Sequence, residues 1–382
     1  MKKTVAEINE KIKKGKAVVL TAEEVSQMSE NTPAEEIAQK VDVVTTATFG
    51  AMCSSGAFIN FGHADPPTRM EEIKLNNVPA YGGLAAVDTY VGATAESESE
   101  PTYGGAHVIE DLLQGKDVVL EAKAKGTDCY PGTYVKTTIN KENINEFYLY
   151  NPRNAYQNYP AATNTTNKII YTYMGNLLPK LGNINYSTSG ELSPLLNDPD
   201  FRTIGIGTRI FLCGAEGYVT WYGTQFNRSV PKNEKGIPIG NAATIAVTGD
   251  LKQMSAEFLK AAYFEKYGVS MFIGMGIPIP ILDADMAKRA SIKNREIETV
   301  ICDYGTLGHP QIGTTNYEVL QSGIVEFRNK KIRTAPMSSL FKARQIADIL
   351  KTKIESNQFL LTEPVQLFPD NTITKPLNTD KE

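Results

Sequence analysis

The 382-residue chain is 41% hydrophobic and 21% charged with a formal net charge of -4, the balance of a globular protein built as one large domain or a few smaller ones. Its basic residues are scattered rather than clustered, so nucleic acid is not an expected partner. No apolar run approaches the ~20 residues that a membrane helix needs, and no apolar segment of the secretory kind follows the charged amino terminus. A cytoplasmic protein without membrane contact is expected.

Residues 4–14 are polar and lysine-rich with helical spacing, and Gly15 ends them. Residues 17–20 read as a short apolar strand. Thr21 then caps an acidic first turn, and Thr32-Pro33 opens a second helix of the same kind. Residues 41–49, rich in β-branched side chains, read as a strand that runs into Gly50-Ala51-Met52-Cys53-Ser54-Ser55-Gly56. Small residues after a strand let the backbone approach a ligand, and exposed N–H groups there suit an anion. Cys53 thus stands at the carboxyl end of a strand, where an α/β enzyme places catalytic groups. A small residue packed under a helix is the structural alternative.

Residues 60–110 read as long polar loops rich in glycine and tyrosine, carrying His63 and His107. Each histidine suits either a general acid or a structural hydrogen-bonding role. Two strands, at 117–124 and 133–139, flank the turn Lys125-Gly126-Thr127-Asp128-Cys129-Tyr130-Pro131-Gly132. A cysteine at such a turn is partly exposed, near backbone N–H groups and a lysine, which favours the thiolate nucleophile. An inert, half-buried loop cysteine is the alternative. In the asparagine- and tyrosine-rich stretch 143–170, Arg153 reads as a surface residue, with a carboxylate clamp as its other role.

Gly205-x-Gly207 leads into an apolar strand that ends at Cys213 and is followed by Gly214-x-x-Gly217. The dinucleotide fingerprint is incomplete, so this segment describes close backbone packing or a small-molecule cradle, with Cys213 buried. Further on come a strand at 242–248, a helix at 255–267 capped by Ser255, an apolar strand at 269–282, a short helix from Asp283 and a strand at 298–302 that buries Cys302. A strand at 323–327 ends in a turn at 328–331. Ser338-Ser339 cap a helix of about 18 residues with Ala343, Ile346, Ala347 and Leu350 at helical spacing. Residues 358–368 are extended. Four cysteines without a C-x-x-C pair are not a disulfide framework, and neither they nor the three histidines have metal-site spacing. The expected fold is α/β: mixed sheets with flanking helices in one large unit, residues 1–370, with long Gly/Tyr-rich loops. A split into two lobes, about 1–200 and 201–370, is the variant, and 371–382 is a polar tail.

Several of these stretches, in this order, resemble the homocysteine biosynthesis protein family: the Gly50–Gly56 segment, Gly126–Gly132, Thr203–Leu212, Ser338–Leu350 and Phe359–Val365. The resemblance covers nearly the whole chain. Cys213 stands where the family has glycine, and the C-terminal CBS modules of some members are not expected in these residues. Family members are sulfurtransferases of anaerobes that convert L-aspartate 4-semialdehyde to L-homocysteine, on the way to methionine. The resemblance therefore implies sulfide or another sulfur donor, two electrons from a small ferredoxin-like iron–sulfur protein, no tightly bound cofactor and no metal site. It implies Cys129 as bearer of a persulfide and Cys53 as its partner thiol, or the reverse, linked by thiol–disulfide exchange. The two must then meet, because a disulfide needs Cα atoms within about 7 Å. The substrate's carboxylate needs a clamp, and Arg209, Gly205, Gly207, His63 and His107 are candidate substrate contacts, with Arg153 beside them; a homo-oligomer is compatible with all of this. Two other readings stay open: a cysteine-ligated metal, iron–sulfur or sulfur carrier without metabolite chemistry, and a cysteine hydrolase using Cys129 with His63 or His107.

Overall fold

The computed structural model describes residues 2–234, 236–372 and 374–378. In chain order, α1 (Val5–Lys13), β1 (Val19–Thr21), α2 (Ala22–Met28), α3 (Ala34–Lys40) and β2 (Val43–Ala51) come first. Short strands follow: β3 (Gly56–Asn60), β4 (Glu72–Leu75), β5 (Val78–Tyr81) and β6 (Asp88–Gly92). Then come α4 (Gly105–Leu113), β7 (Val118–Lys123), β8 (Tyr134–Ile139), β9 (Glu146–Asn154), β10 (Ala161–Thr163), β11 (Ile170–Thr172), β12 (Gly175–Leu177), β13 (Asn183–Tyr186) and α5 (Pro194–Asn197). The next group is β14 (Arg209–Leu212), β15 (Ala215–Tyr222), β16 (Ile245–Asp250), β17 (Leu259–Phe264) and β18 (Gly268–Pro280). The last elements are α6 (Ala284–Ala290), β19 (Glu298–Asp303), β20 (Gln311–Asn316), α7 (Tyr317–Gln321), β21 (Ile324–Phe327), β22 (Lys330–Pro336) and α8 (Leu340–Glu355).

Local chemistry explains many of the boundaries. Thr4 and Thr21 open α1 and α2 in the same way: each hydroxyl accepts from the N–H of the glutamate three residues on, at 3.2 Å, and that carboxylate accepts from the threonine N–H. Ser339 caps α8, whose apolar stripe Ala343, Ile346, Ala347, Leu350 and Ile354 is buried across β1, β2 and β18. Under this cover β2 is buried at every position, which is why it reads as unbroken β-branched sequence rather than alternation.

Among the described residues the large sheet has 14 strands in the order β1-β2-β18-β14-β15-β16-β9-β3-β6-β5-β4-β7-β8, with β17 paired to the start of β18. A second sheet of 6 strands, β20-β19-β10-β13-β22-β21, encloses its own core around Ile184, Tyr186, Ile301, Tyr317 and Leu320. The α/β class with mixed sheets and flanking helices is as the sequence indicates. Both sheets take strands from before and after residue 200, so a lobe boundary there coincides with neither.

Two stretches differ from their sequence reading. The supposed loops of 60–110 contain β4, β5, β6 and α4, because strands of four or five residues carry too few alternations to stand out from their turns. The supposed helix at 255–267 is β17: its alanine, glutamate and lysine content suits a helix, but pairing along β18 from Leu259↔Ile273 to Phe264↔Gly268 overrides that preference.

The amino terminus is pinned to β2 through Asp42, whose carboxylate is 2% exposed and accepts from Lys3 at 2.8 Å, Lys11 at 2.7 Å and the Val18 N–H at 3.1 Å. Burial opposes ionisation of Asp42, but these bonds outweigh it and hold the carboxyl below its ordinary value. A depressed carboxyl adds stability above the unfolded-state pKa and loses it as pH falls toward the folded one. Asp42→Asn should therefore cost roughly 3 kcal/mol in urea unfolding at neutral pH, by leaving Lys3 buried and unpaired. The gap from wild type should narrow as pH falls through the carboxylate range; a gap unchanged at low pH would contradict this account.

Candidate functional site

Strand β2 ends against β18, with Ala51 in register with Phe272, and the Met52 N–H continues the ladder to the Met271 carbonyl at 2.7 Å. The chain then turns tightly, the Ser55 N–H and hydroxyl both closing onto the Met52 carbonyl at 3.0 and 2.6 Å. This turn lifts Cys53 out of the ladder and leaves it half-buried over the first residues of β18. Its Sγ lies 3.1 Å from the hydroxyl of the fully buried Ser270, and the Tyr267 hydroxyl donates to it at 3.4 Å.

Cys53 opens into a pocket of about 300 Å³ shared with Arg153, Tyr156, Tyr159, Tyr173 and Tyr267. The Tyr173 hydroxyl bonds those of Tyr159 and Tyr304, the latter at 3.0 Å, and the rings of Tyr156 and Tyr159 pack at a tilt of 59° with centroids 4.6 Å apart. Burial pushes the Tyr159 phenol up to about 12 and raises those of Tyr156, Tyr173, Tyr267 and Tyr304 as well. The cluster therefore supplies neutral O–H donors at physiological pH. Arg153 is the cation of this pocket. Its Nε donates to Thr224 at 3.1 Å, and among the described residues it forms no ion pair. The surface reading of Arg153 is thus corrected, because β9 carries it to the pocket rim beside Asn151, which ties its backbone N–H at 2.7 Å and bonds Ser55 at 2.6 Å.

Cys129 is exposed in the connection between β7 and β8, where Thr127 and Tyr130 close a turn through their backbones. His63 stacks on Tyr130 with ring centroids 6.1 Å apart. The pairing Phe58↔Tyr90↔Tyr81↔Glu72↔Lys123 places β7 four strands from β3 and running in the same sense. Cys53 precedes the first residue of β3, whereas Cys129 follows the last residue of β7. The two thiols therefore lie at opposite ends of the sheet, with a lateral offset on the order of 19 Å for four strand spacings. One chain does not bring them within disulfide reach.

The remaining sequence candidates lie outside the Cys53 pocket. Gly205 and Gly207 face the 364–366 strap: a Cβ on Gly205 would meet the Gln366 carbonyl at 2.5 Å, and Ile206 pairs with Val365 and Gln366 through its backbone. These glycines allow the close approach of two backbones rather than of a ligand. Arg209 pairs with Glu216 at 3.6 Å and lies over the Phe359 ring. His107 caps α4 by accepting from the Gly104 N–H at 3.2 Å, and burial holds its imidazole below the ordinary value. Cys213 is fully buried with its thiol pushed up to about 12, and Cys302 is buried in the second sheet. Tyr267 and Ser270, which touch the sulfur, escaped sequence reading because the local sequence gives no sign that β18 passes beneath Cys53. Native alkylation with iodoacetamide should label Cys53 and Cys129 and spare Cys213 and Cys302, as read by peptide mass spectrometry. Labelling of Cys213 at the rate of Cys129 would refute this assignment of exposure.

Comparisons with known proteins agree over most of the chain. Residues 17–361 match the family described as homocysteine biosynthesis enzyme, sulfur-incorporation. The L-aspartate semialdehyde sulfurtransferase of Methanocaldococcus jannaschii is 50% identical over 95% of this chain and 72% of its own length. The protein of the same name from Methanosarcina acetivorans is 47% identical over 96% of this chain and 72% of its own. No solved structure matches. A thiol presented to a tyrosine-lined pocket is thus found in a chain that belongs to the family of sulfur-incorporating homocysteine biosynthesis enzymes.

Proposed function

We propose that this protein transfers sulfur to the aldehyde carbon of L-aspartate 4-semialdehyde, giving L-homocysteine, as the names of its relatives say of them. The observation that carries the reading is a thiol in contact with two hydroxyls at the wall of a pocket that also holds an arginine without an ion pair among the described residues. Arg153 holds the substrate α-carboxylate, for which its planar fork is suited. The aldehyde then points toward Cys53. The Tyr267 hydroxyl, kept protonated by burial, donates to the sulfur at rest and to the aldehyde oxygen as negative charge grows on it.

The electrons and atoms balance as follows when sulfide is the donor and Cys129 the second thiol. HS⁻ opens a Cys53–Cys129 disulfide, leaving a persulfide on Cys53 and a thiolate on Cys129. The outer sulfur adds to the aldehyde carbon, and the oxygen takes a proton. The Cys129 thiolate attacks the Cys53 sulfur, re-forming the disulfide and releasing the substrate-bound sulfur. Loss of water gives a thioaldehyde, which two electrons and two protons reduce to the thiol of homocysteine. The electrons come from a small iron–sulfur protein.

The test is an anaerobic assay of homocysteine from aspartate semialdehyde, sulfide and a reductant. Wild type should form product and Cys53→Ala should form none. Tyr267→Phe should lower kcat roughly a hundredfold with little change in KM. Arg153→Lys should instead raise KM by on the order of tenfold, because the bidentate contact is lost. Undiminished product from Cys53→Ala would refute the persulfide route, and no product from wild type with an iron–sulfur donor supplied would refute the substrate.

A further inference from the structure

Within its own chain the Cys53 pocket lacks the second thiol that the sulfur transfer uses, and the exposed Cys129 lies at the far end of the same sheet. We propose that two copies of this chain pack through one face of the large sheet, and that the Cys129 hairpin of each enters the Cys53 pocket of the other. Two observations favour a second copy as the occupant.

One face of the sheet carries a single register row, Tyr134, Lys123, Glu72, Tyr81, Tyr90, Phe58 and Tyr148, that crosses seven strands from the base of the Cys129 hairpin to β9, the strand bearing Arg153. Four of its five aromatic members stand in solvent, with Tyr81 61%, Tyr134 51%, Tyr148 45% and Phe58 37% exposed, while Tyr90 is half-buried against Phe58. The opposite face of these strands is the buried core, including Ile73, Ala122, Ala57 and Phe147. An aromatic row of this extent marks an interaction surface, and a twofold contact is self-complementary, with the same patch used on both copies.

The charges at the two ends also match. Asp128, beside Cys129, is exposed, and Arg153, beside Cys53, forms no ion pair; among the described residues neither has a charged partner in its own chain. Seating the hairpin brings the carboxylate and the guanidinium together where the two thiols meet. The Arg153 fork has five N–H donors, and the structure commits its Nε to Thr224, so donors remain for the α-carboxylate of a substrate. Each chain then contributes a whole pocket and a whole hairpin, and each site is incomplete alone.

This pairing rests on the two-thiol reading of the reaction, but the interface can be read without activity. The full chain is sized by light scattering, then oxidised with diamide, which takes two electrons and two protons from each pair of thiols. A dimer is expected, with an interchain Cys53–Cys129 disulfide found by peptide mass spectrometry and lost in Cys53→Ala and in Cys129→Ala. Tyr81→Arg combined with Tyr148→Arg should give a folded monomer, checked by circular dichroism, that no longer crosslinks. Mixing the two inactive cysteine variants under conditions of subunit exchange should restore about a quarter of wild-type activity, since half the dimers then hold one intact site of two. A monomeric wild type, an intrachain Cys53–Cys129 disulfide, or a dimer that neither crosslinks through these residues nor complements would overturn the proposal. Interchain crosslinking by a wild type that makes no homocysteine would uphold the interface and refute the function instead.

Discussion

The antiparallel ladder between β2 and β18 is the constraint on which the site depends. Nine residue pairs, from Val43↔Pro280 to Ala51↔Phe272, run through the interior of the protein. Cys53 leaves one end of this ladder while Ser270 and Tyr267 enter it, so the distances around the sulfur are set by backbone register. A slip of one residue would turn every β2 side chain to the opposite face and carry the thiol from its two hydroxyls. Register is protected because both faces of β2 are buried, under α8 on one side and the main core on the other. The chemistry at the surface of this protein is thus indexed by the most deeply packed part of it.

The same sheet that fixes the Cys53 pocket also keeps Cys129 away from it. A strand ladder is stiff along its length, and a hairpin connection moves only at its tip. The two thiols occupy environments of different kinds: one roofed by phenols, the other open to solvent beside His63 and Tyr130. The ladder thus holds one thiol against packed side chains and the other at a solvent-facing hairpin, with no common surface between them in one chain.

Much of the fold was legible in the sequence where apolar runs were long or capped. The strands 43–51 and 268–280, the hairpin around Cys129 and the helix after Ser339 all follow patterns of one or two residue types that local physics reads directly. Strands β4 to β6 were not legible because four or five residues interrupted or bordered by turn formers such as Asn76-Asn77, Pro79, Gly82 and Gly92 look like a loop, and β17 was not because its composition favours a helix that its neighbour forbids. Of the site, Cys53 and Cys129 could be singled out as thiols at strand ends. Arg153 could be offered only as an alternative carboxylate clamp, and Tyr267, Ser270 and the tyrosine cluster could not be singled out, since the site is drawn from separate stretches spread over residues 153–304 whose convergence is a tertiary fact. Conversely, Gly205 and Gly207 carried a true signal of close approach whose object is the C-terminal strap.

Cys213 stands in the two-residue connection between β14 and β15 with φ of 49°, followed by Gly214 at 96°. A turn with two positive φ values favours glycine or asparagine at both places, and a cysteine there holds strain on the order of 1 kcal/mol. It is tolerated because its N–H bonds the Gly274 carbonyl at 2.7 Å, its own carbonyl accepts from Ser255, and its side chain fills the core. A glycine at this position would be the relaxed form of the same hairpin. An engineer wishing to thin the protein's sulfur content can begin here, trading a small void for an unstrained backbone and leaving the surface thiols as the ones a probe or an oxidant will find.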